Sequence, residues 1–138
     1  MKLIKLTLLA LLISIATAAD AKKIQEPHVY LFGFSGSFTD SLIYITDIQD
    51  VQKAWMDNKT KFLLGRDNYS YQLKNYLSDQ KQQPNRICVV FFAKSKKKAE
   101  KMYLKLRKKY TNNKKASYNI RYITQQEFKF EAVDMSEE

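Results

Sequence analysis

Arg86-Ile87-Cys88-Val89-Val90-Phe91-Phe92-Ala93, followed at once by Lys94-Ser95-Lys96-Lys97-Lys98, is the stretch on which the fold turns. Ile87–Phe92 is an unbroken apolar run, rich in β-branched and aromatic side chains, and its length suits a strand rather than a helix. Both of its faces are apolar, which predicts a strand in the middle of a sheet. The helix that follows is predicted from Ser95 to Thr111, with Ala99, Met102, Tyr103, Leu106 and Tyr110 as its apolar stripe. Beyond it, Tyr118 to Ile123 alternates as a further strand. Strand, helix and strand are together long enough for a right-handed crossover, should the two strands be parallel neighbours.

Upstream of this unit, Asp67 or Asn68 opens a helix with Tyr69, Leu73, Tyr76 and Leu77 on one face, and Ser78–Gln83 runs it out before Pro84. His28 to Phe34 and Leu42 to Ile48 read as strands joined by a Ser-rich hairpin loop, with Gly33 and Gly36 marking a bulge or bend. Asp50 is expected to cap a short helix through Trp55 and Met56, and the link Asn58–Gly65 is ambiguous. Downstream, Thr124-Gln125-Gln126-Glu127 matches a capping box and predicts a helical turn. The expectation is therefore an α/β (α+β-like) fold: one small domain over residues 28–133 in ββαβαβ order. It would hold a mixed four-stranded sheet with helices mainly on one face. Residues 22–27 are expected to be a polar lead-in, and Asp134–Glu138 a loose acidic tail.

Residues 1–21 carry Lys2 and Lys5, an apolar run from Leu6 to Ala16, and a small-residue end at Ala19-Asp20-Ala21. That is the pattern of a secretory signal peptide, with cleavage expected before Lys22. The run is shorter than the roughly 20 residues that a membrane span needs. The remainder is long enough for one domain and too short for two. Cys88 is the single cysteine, so no intramolecular disulfide can form, and its apolar setting points to an inert thiol.

Charge is concentrated. The chain carries +10, yet residues 94–115 hold eleven Lys or Arg against one acid, Glu100. Lysines in a first helical turn oppose the partial positive charge of aligned peptide dipoles, so local structure does not call for them. Lys94, Ser95, Lys96, Lys97 and Lys98, extended by Lys101, Lys105 and Lys108, are the candidate anion-binding surface. The alternative is a solvated face serving only solubility. Export favours an anionic envelope polymer or lipid headgroups over nucleic acid, and no nucleic-acid-binding signature occurs. A protein partner docked on a strand edge or on the Tyr-rich helix is the second function class. The acidic tail could compete for the basic helix.

Catalytic and cofactor signals are absent from the pattern. His28 is the only histidine, which excludes a multi-histidine metal site and leaves a Ser-His-Asp triad a single base. No nucleophile elbow, phosphate loop or dinucleotide glycine pattern occurs. No cofactor, metal or catalytic residue is assigned, and Asp47 and Asp50 read as a strand end and a helix cap. Tyr69 and Tyr76 share a stripe with leucines, so they read as core and not as a sugar-binding platform.

Val29-Tyr30-Leu31-Phe32-Gly33-Phe34, Lys61-Phe62-Leu63-Leu64-Gly65-Arg66-Asp67-Asn68-Tyr69-Ser70 and Tyr122-Ile123-Thr124-Gln125-Gln126-Glu127-Phe128 together resemble a group of small exported Bacteroidetes proteins of uncharacterised function. The resemblance implies a single domain in the periplasm or cell envelope of a Gram-negative bacterium, and brings no catalytic residues. Similar chains sometimes carry an enoyl-acyl-carrier reductase label. Tyr122 and Lys129 have the Tyr/Lys spacing of that family, but the nucleotide glycine signature is missing, and the label is rejected. Asp40-Ser41-Leu42 is similar to the O-glycosylation acceptor of such bacteria, which makes Ser41 a candidate modification site.

Overall fold

A computed structural model of the chain describes residues 22–136. The leader expected over residues 1–21 and the last two residues of the tail lie outside the described residues. The order is β1 (Lys23–Glu26), β2 (Val29–Gly36), β3 (Leu42–Thr46), β4 (Gln49–Val51) and β5 (Ala54–Asp57). Then come α1 (Arg66–Lys81), β6 (Ile87–Ala93), α2 (Lys96–Thr111) and β7 (Asn119–Ile123). The class is mixed α/β in a single small domain, and the ββαβαβ order is that of β2, β3, α1, β6, α2 and β7.

β2 is the hub of the sheet. On one side it pairs antiparallel with β6 along its length, from Tyr30↔Ala93 to Gly36↔Ile87. On the other side β3 and β4 share one lane, at Phe34↔Ile45 and Ser35↔Tyr44 and then from Val29↔Val51 to Leu31↔Gln49. The register slips by one residue between these two segments, which is a β-bulge within Thr46–Ile48, opposite Phe32 and Gly33. β7 joins β3 in parallel, from Leu42↔Asn119 to Thr46↔Ile123. At the bulge the Gly33 amide donates to Thr46 Oγ1 at 2.8 Å.

Several expectations are corrected. The helix expected from Asp50 to Met56 is instead β4, a turn at Gln52–Lys53 and β5, with Val51, Ala54 and Met56 buried. The lead-in is β1, which pairs antiparallel with β5 from Lys23↔Asp57 to Glu26↔Ala54. β6 is not central: among the described residues it pairs with β2 alone. β6 and β7 run parallel but are not neighbours, so the crossover through α2 spans β2 and β3.

The helices do not share a face. Val90 is buried beside Leu73 and Leu77 of α1 in the main core. The next residue, Phe91, points the other way and stacks on Phe32 at 5.1 Å between centroids, and Phe32 in turn meets Tyr103 of α2 at 5.4 Å. Phe34 meets Tyr110 of α2 on that same face. Alternation along β6 thus sends apolar side chains to both faces, and one helix covers each. Two covering helices, rather than two flanking strands, are what an all-apolar strand required here.

The segment after β7 lies along α1 as an extended strap. Its backbone is held by side chains in place of a ladder. Gln49, 1% exposed, donates to the Phe128 carbonyl and accepts from the Phe130 amide, at 2.9 and 2.7 Å. Gln72 makes the same two-way bond with Glu131, and the Val133 amide donates to the Tyr69 phenol at 3.0 Å. Phe130 is buried against Tyr69.

Candidate functional site

Ser95 caps α2: its side chain accepts from the Lys98 amide at 3.3 Å, and its carbonyl accepts from Ala99. Ala99 is fully buried, and Phe32 and Phe34 hold Tyr103 and Tyr110, which fixes the helix by its apolar stripe. Met102 and Leu106 are half-buried on the same stripe, and the charged side chains of α2 turn outward. Lys96, Lys97, Lys98, Lys101, Lys105 and Lys108 are exposed, and among the described residues none of them has an ion pair. Lys109 lies over the Tyr110 ring and Arg107 over Tyr103, both at 5.8 Å. Lys97, Lys101, Lys105 and Lys109 fall at successive four-residue steps, so like charges stack along one ridge. Each such pair costs a helix about 0.2–0.5 kcal/mol.

Lys94 stands apart from this ridge, because its amine pairs with Glu26 of β1 at 3.1 Å. Of the acidic tail, residues 134–136 are described. Its described part follows the strap on the α1 face, opposite α2, with Ser136 donating to Asp134 at 2.9 Å. That placement does not bring it onto the α2 ridge.

Ser41 is exposed, and both of its neighbours are tied to Arg86. The Arg86 guanidinium, 3% exposed, bonds both Asp40 carboxylate oxygens at 3.0 Å and also donates to the Leu42 carbonyl. It lies over the Tyr44 ring, and its Nε has no partner among the described residues. The Leu42 amide and the Arg86 charge hold the Asp40 carboxyl below its ordinary range. The sequence offered no sign of this pair beyond a charge at the start of an apolar strand.

Between the Ser37–Ser41 loop and the end of α2 the structure opens a groove of about 330 Å³. Phe34, Ile43, Ile87 and Val89 line it, Phe38 stands at its lip, and Tyr110 and Tyr118 close it. A second, polar concavity of about 530 Å³ lies beyond those two tyrosines, lined by Lys114, Lys115, Asn113 and Ser117. Sequence reading missed both. The one available signal was Phe38, an aromatic in an otherwise polar loop, which is 95% exposed.

His28 bonds the Asp50 carboxylate at 2.8 Å and stacks on Tyr30. Asp50 is therefore a partner of histidine and not a helix cap. Asp47 accepts from the Gln125 amide at 3.1 Å. Tyr69 and Leu73 are fully buried, and Tyr76 packs on Phe128, so this stripe is core. Burial, the main influence, pushes the Cys88 thiol above its ordinary range, and Ser35 lies 3.6 Å from its sulfur. Among the described residues, no three His, Cys, Asp or Glu side chains are gathered as a metal site, and no helix is long and apolar enough to cross a membrane.

Comparison with protein-family models, with curated proteins and with solved structures gave no significant match.

Proposed function

We propose that the protein is an exported, non-enzymatic domain that binds an anionic component of the cell envelope through the outer face of α2. The observation that carries this reading is the run of exposed lysines from Lys96 to Lys108, for which the fold supplies no acidic partners among the described residues. Stacked like charges lower the helix's stability, and an anion laid along the ridge relieves them. A ligand that does so stabilises the folded state by mass action. Lys94 contributes less than its position suggested, since Glu26 already neutralises it.

The test is binding of the purified protein to lipopolysaccharide, anionic vesicles, an acidic glycan and nucleic acid over a range of salt. Beside it stand a Lys96/Lys97/Lys98→Gln variant and an unrelated protein of equal charge. Log affinity should fall linearly with log salt as counterions are released, and the variant should bind at least tenfold more weakly. Binding no tighter than the charge-matched control would leave the lysines a solubility feature and favour a protein partner. The β6 edge is a poor dock for such a partner. Arg66 of α1 donates to its Val90 carbonyl at 3.1 Å and covers Phe92.

Export and modification of Ser41 are checked together by the intact mass of protein from the native host. Export predicts the loss of residues 1–21, and modification predicts mass in excess of the bare chain that is abolished by Ser41→Ala.

A further inference from the structure

Three of the seven large apolar side chains that the described surface leaves exposed converge on one groove: Phe38, Ile87 and Val89, at 95%, 48% and 39%. Scattered singly they would need no explanation; gathered in a concavity they invite one. Its volume of about 330 Å³ falls at the small end of ligand pockets, roughly 300–1,000 Å³. Asp40 is the one charged side chain on its lining, and Arg86 already holds both of that residue's oxygens. The groove therefore offers an apolar occupant no unpaired charge.

Its far wall is what defines the ligand. Tyr110 and Tyr118, edge to face at 5.0 Å, line both this groove and the polar concavity that carries Lys114 and Lys115. The Lys109 amine lies 5.8 Å from the Tyr110 ring centre. An apolar compartment and a cationic one thus share a single two-ring partition. We infer that this paired site binds an anionic amphiphile, with its alkyl or acyl chain in the groove of Phe38, Ile87 and Val89. The phosphate or carboxylate head then lies on Lys114 and Lys115, with Lys109 beside the Tyr110 ring. This rests on the reading of α2 as an anion-facing surface and specifies its ligand. A rim charge complementary to the head, beside a chain-sized apolar slot, favours a single amphiphile over a peptide.

The experiment is calorimetric titration of the purified protein with octyl and decyl phosphate below their micelle concentrations, with octanol and inorganic phosphate as the separated halves. Octyl phosphate should bind, and decyl phosphate should bind about fourfold tighter per added methylene. Octanol should bind at least tenfold more weakly, and inorganic phosphate not measurably. Lys114→Glu/Lys115→Glu should cost alkyl phosphate at least tenfold and leave octanol unchanged. Val89→Asp should abolish the chain-length dependence. Phe38→Ser, at a side chain too exposed to support the fold, should weaken decyl phosphate several-fold while the melting temperature holds.

Affinity that is independent of chain length, or octanol as tight as octyl phosphate, overturns the proposal. The broader reading fails separately. Lys96, Lys97 and Lys98 lie about 17–20 Å along α2 from Lys109 at the rise of an α-helix. Their Gln variant should lose polyanion binding and keep alkyl phosphate. Heparin bound no better than by the charge-matched control, with chain-length dependence intact, would sink the ridge and spare the groove.

Discussion

Gly33 is where the two sides of the sheet come to terms. A Cβ there would lie 2.6 Å from Leu73 Cδ2, 3.2 Å from Phe130 Cζ and 3.4 Å from Thr46 Cγ2. Those atoms belong to α1, the strap and the bulge, so a methyl group would push three packed elements at once. Leu73 is fully buried and has little room to retreat. Gly33→Ala should therefore lower stability by about 1–3 kcal/mol, the usual cost of overpacking a core. Chemical denaturation of the two proteins checks it, and an unchanged midpoint would mean that α1 yields freely. The glycine could be read in the sequence as a bend; its closeness to a helix could not, because nothing local records which side chain lands above it.

At the scale of elements, the first turn of α2 sets stability against charge. Ser95 already caps the helix, but Lys96, Lys97 and Lys98 fill the positions where a carboxylate would help. Lys98→Glu would complete a Ser-x-x-Glu capping box and should raise stability by about 0.5–1 kcal/mol. The same change should weaken polyanion binding, and thermal melting beside a binding titration reads both. A gain in one without loss in the other would detach Lys98 from the ridge. α2, β2, β6 and β7 were legible because their apolar periods are long. β4 and β5 were not: Val51, Ala54 and Trp55 fall at helical spacing and disguise two short strands. The turn between them is marked only by Lys53 at φ 66°, where no glycine or asparagine announces a left-handed residue. The apolar run of β6 revealed two buried faces without saying what buries them. The lysine ridge could be read directly from composition, whereas the groove needed Phe38 and Val89, some fifty positions apart, to meet.

For the molecule as a whole, burial raises the phenols of Tyr69, Tyr76 and Tyr103 above their ordinary range, with Glu127 adding to Tyr76 and Tyr122 to Tyr103. A raised phenol keeps its proton in the folded state at a pH where the unfolded chain, titrating near 10, has released it. The stability it represents is intact below about pH 10 and is lost as pH rises further. Melting temperatures from pH 8 to pH 11 should fall at the alkaline end. Tyr69→Phe, which also loses the Val133 bond, should be less stable at pH 8 and fall less steeply above pH 10. Parallel curves would remove Tyr69 from the account. The strap that Tyr69 helps to hold has a further consequence, in time. Gln49, Gln72 and Tyr69 wait for residues 128–133, which are synthesised after every strand and helix described above. Until then Tyr69 and its neighbours on α1 have no lid, and β3 has lacked its parallel partner until residues 119–123 emerge. The order of synthesis therefore leaves Tyr69 and the α1 side of Gly33 without their Phe130 cover until the strap has emerged.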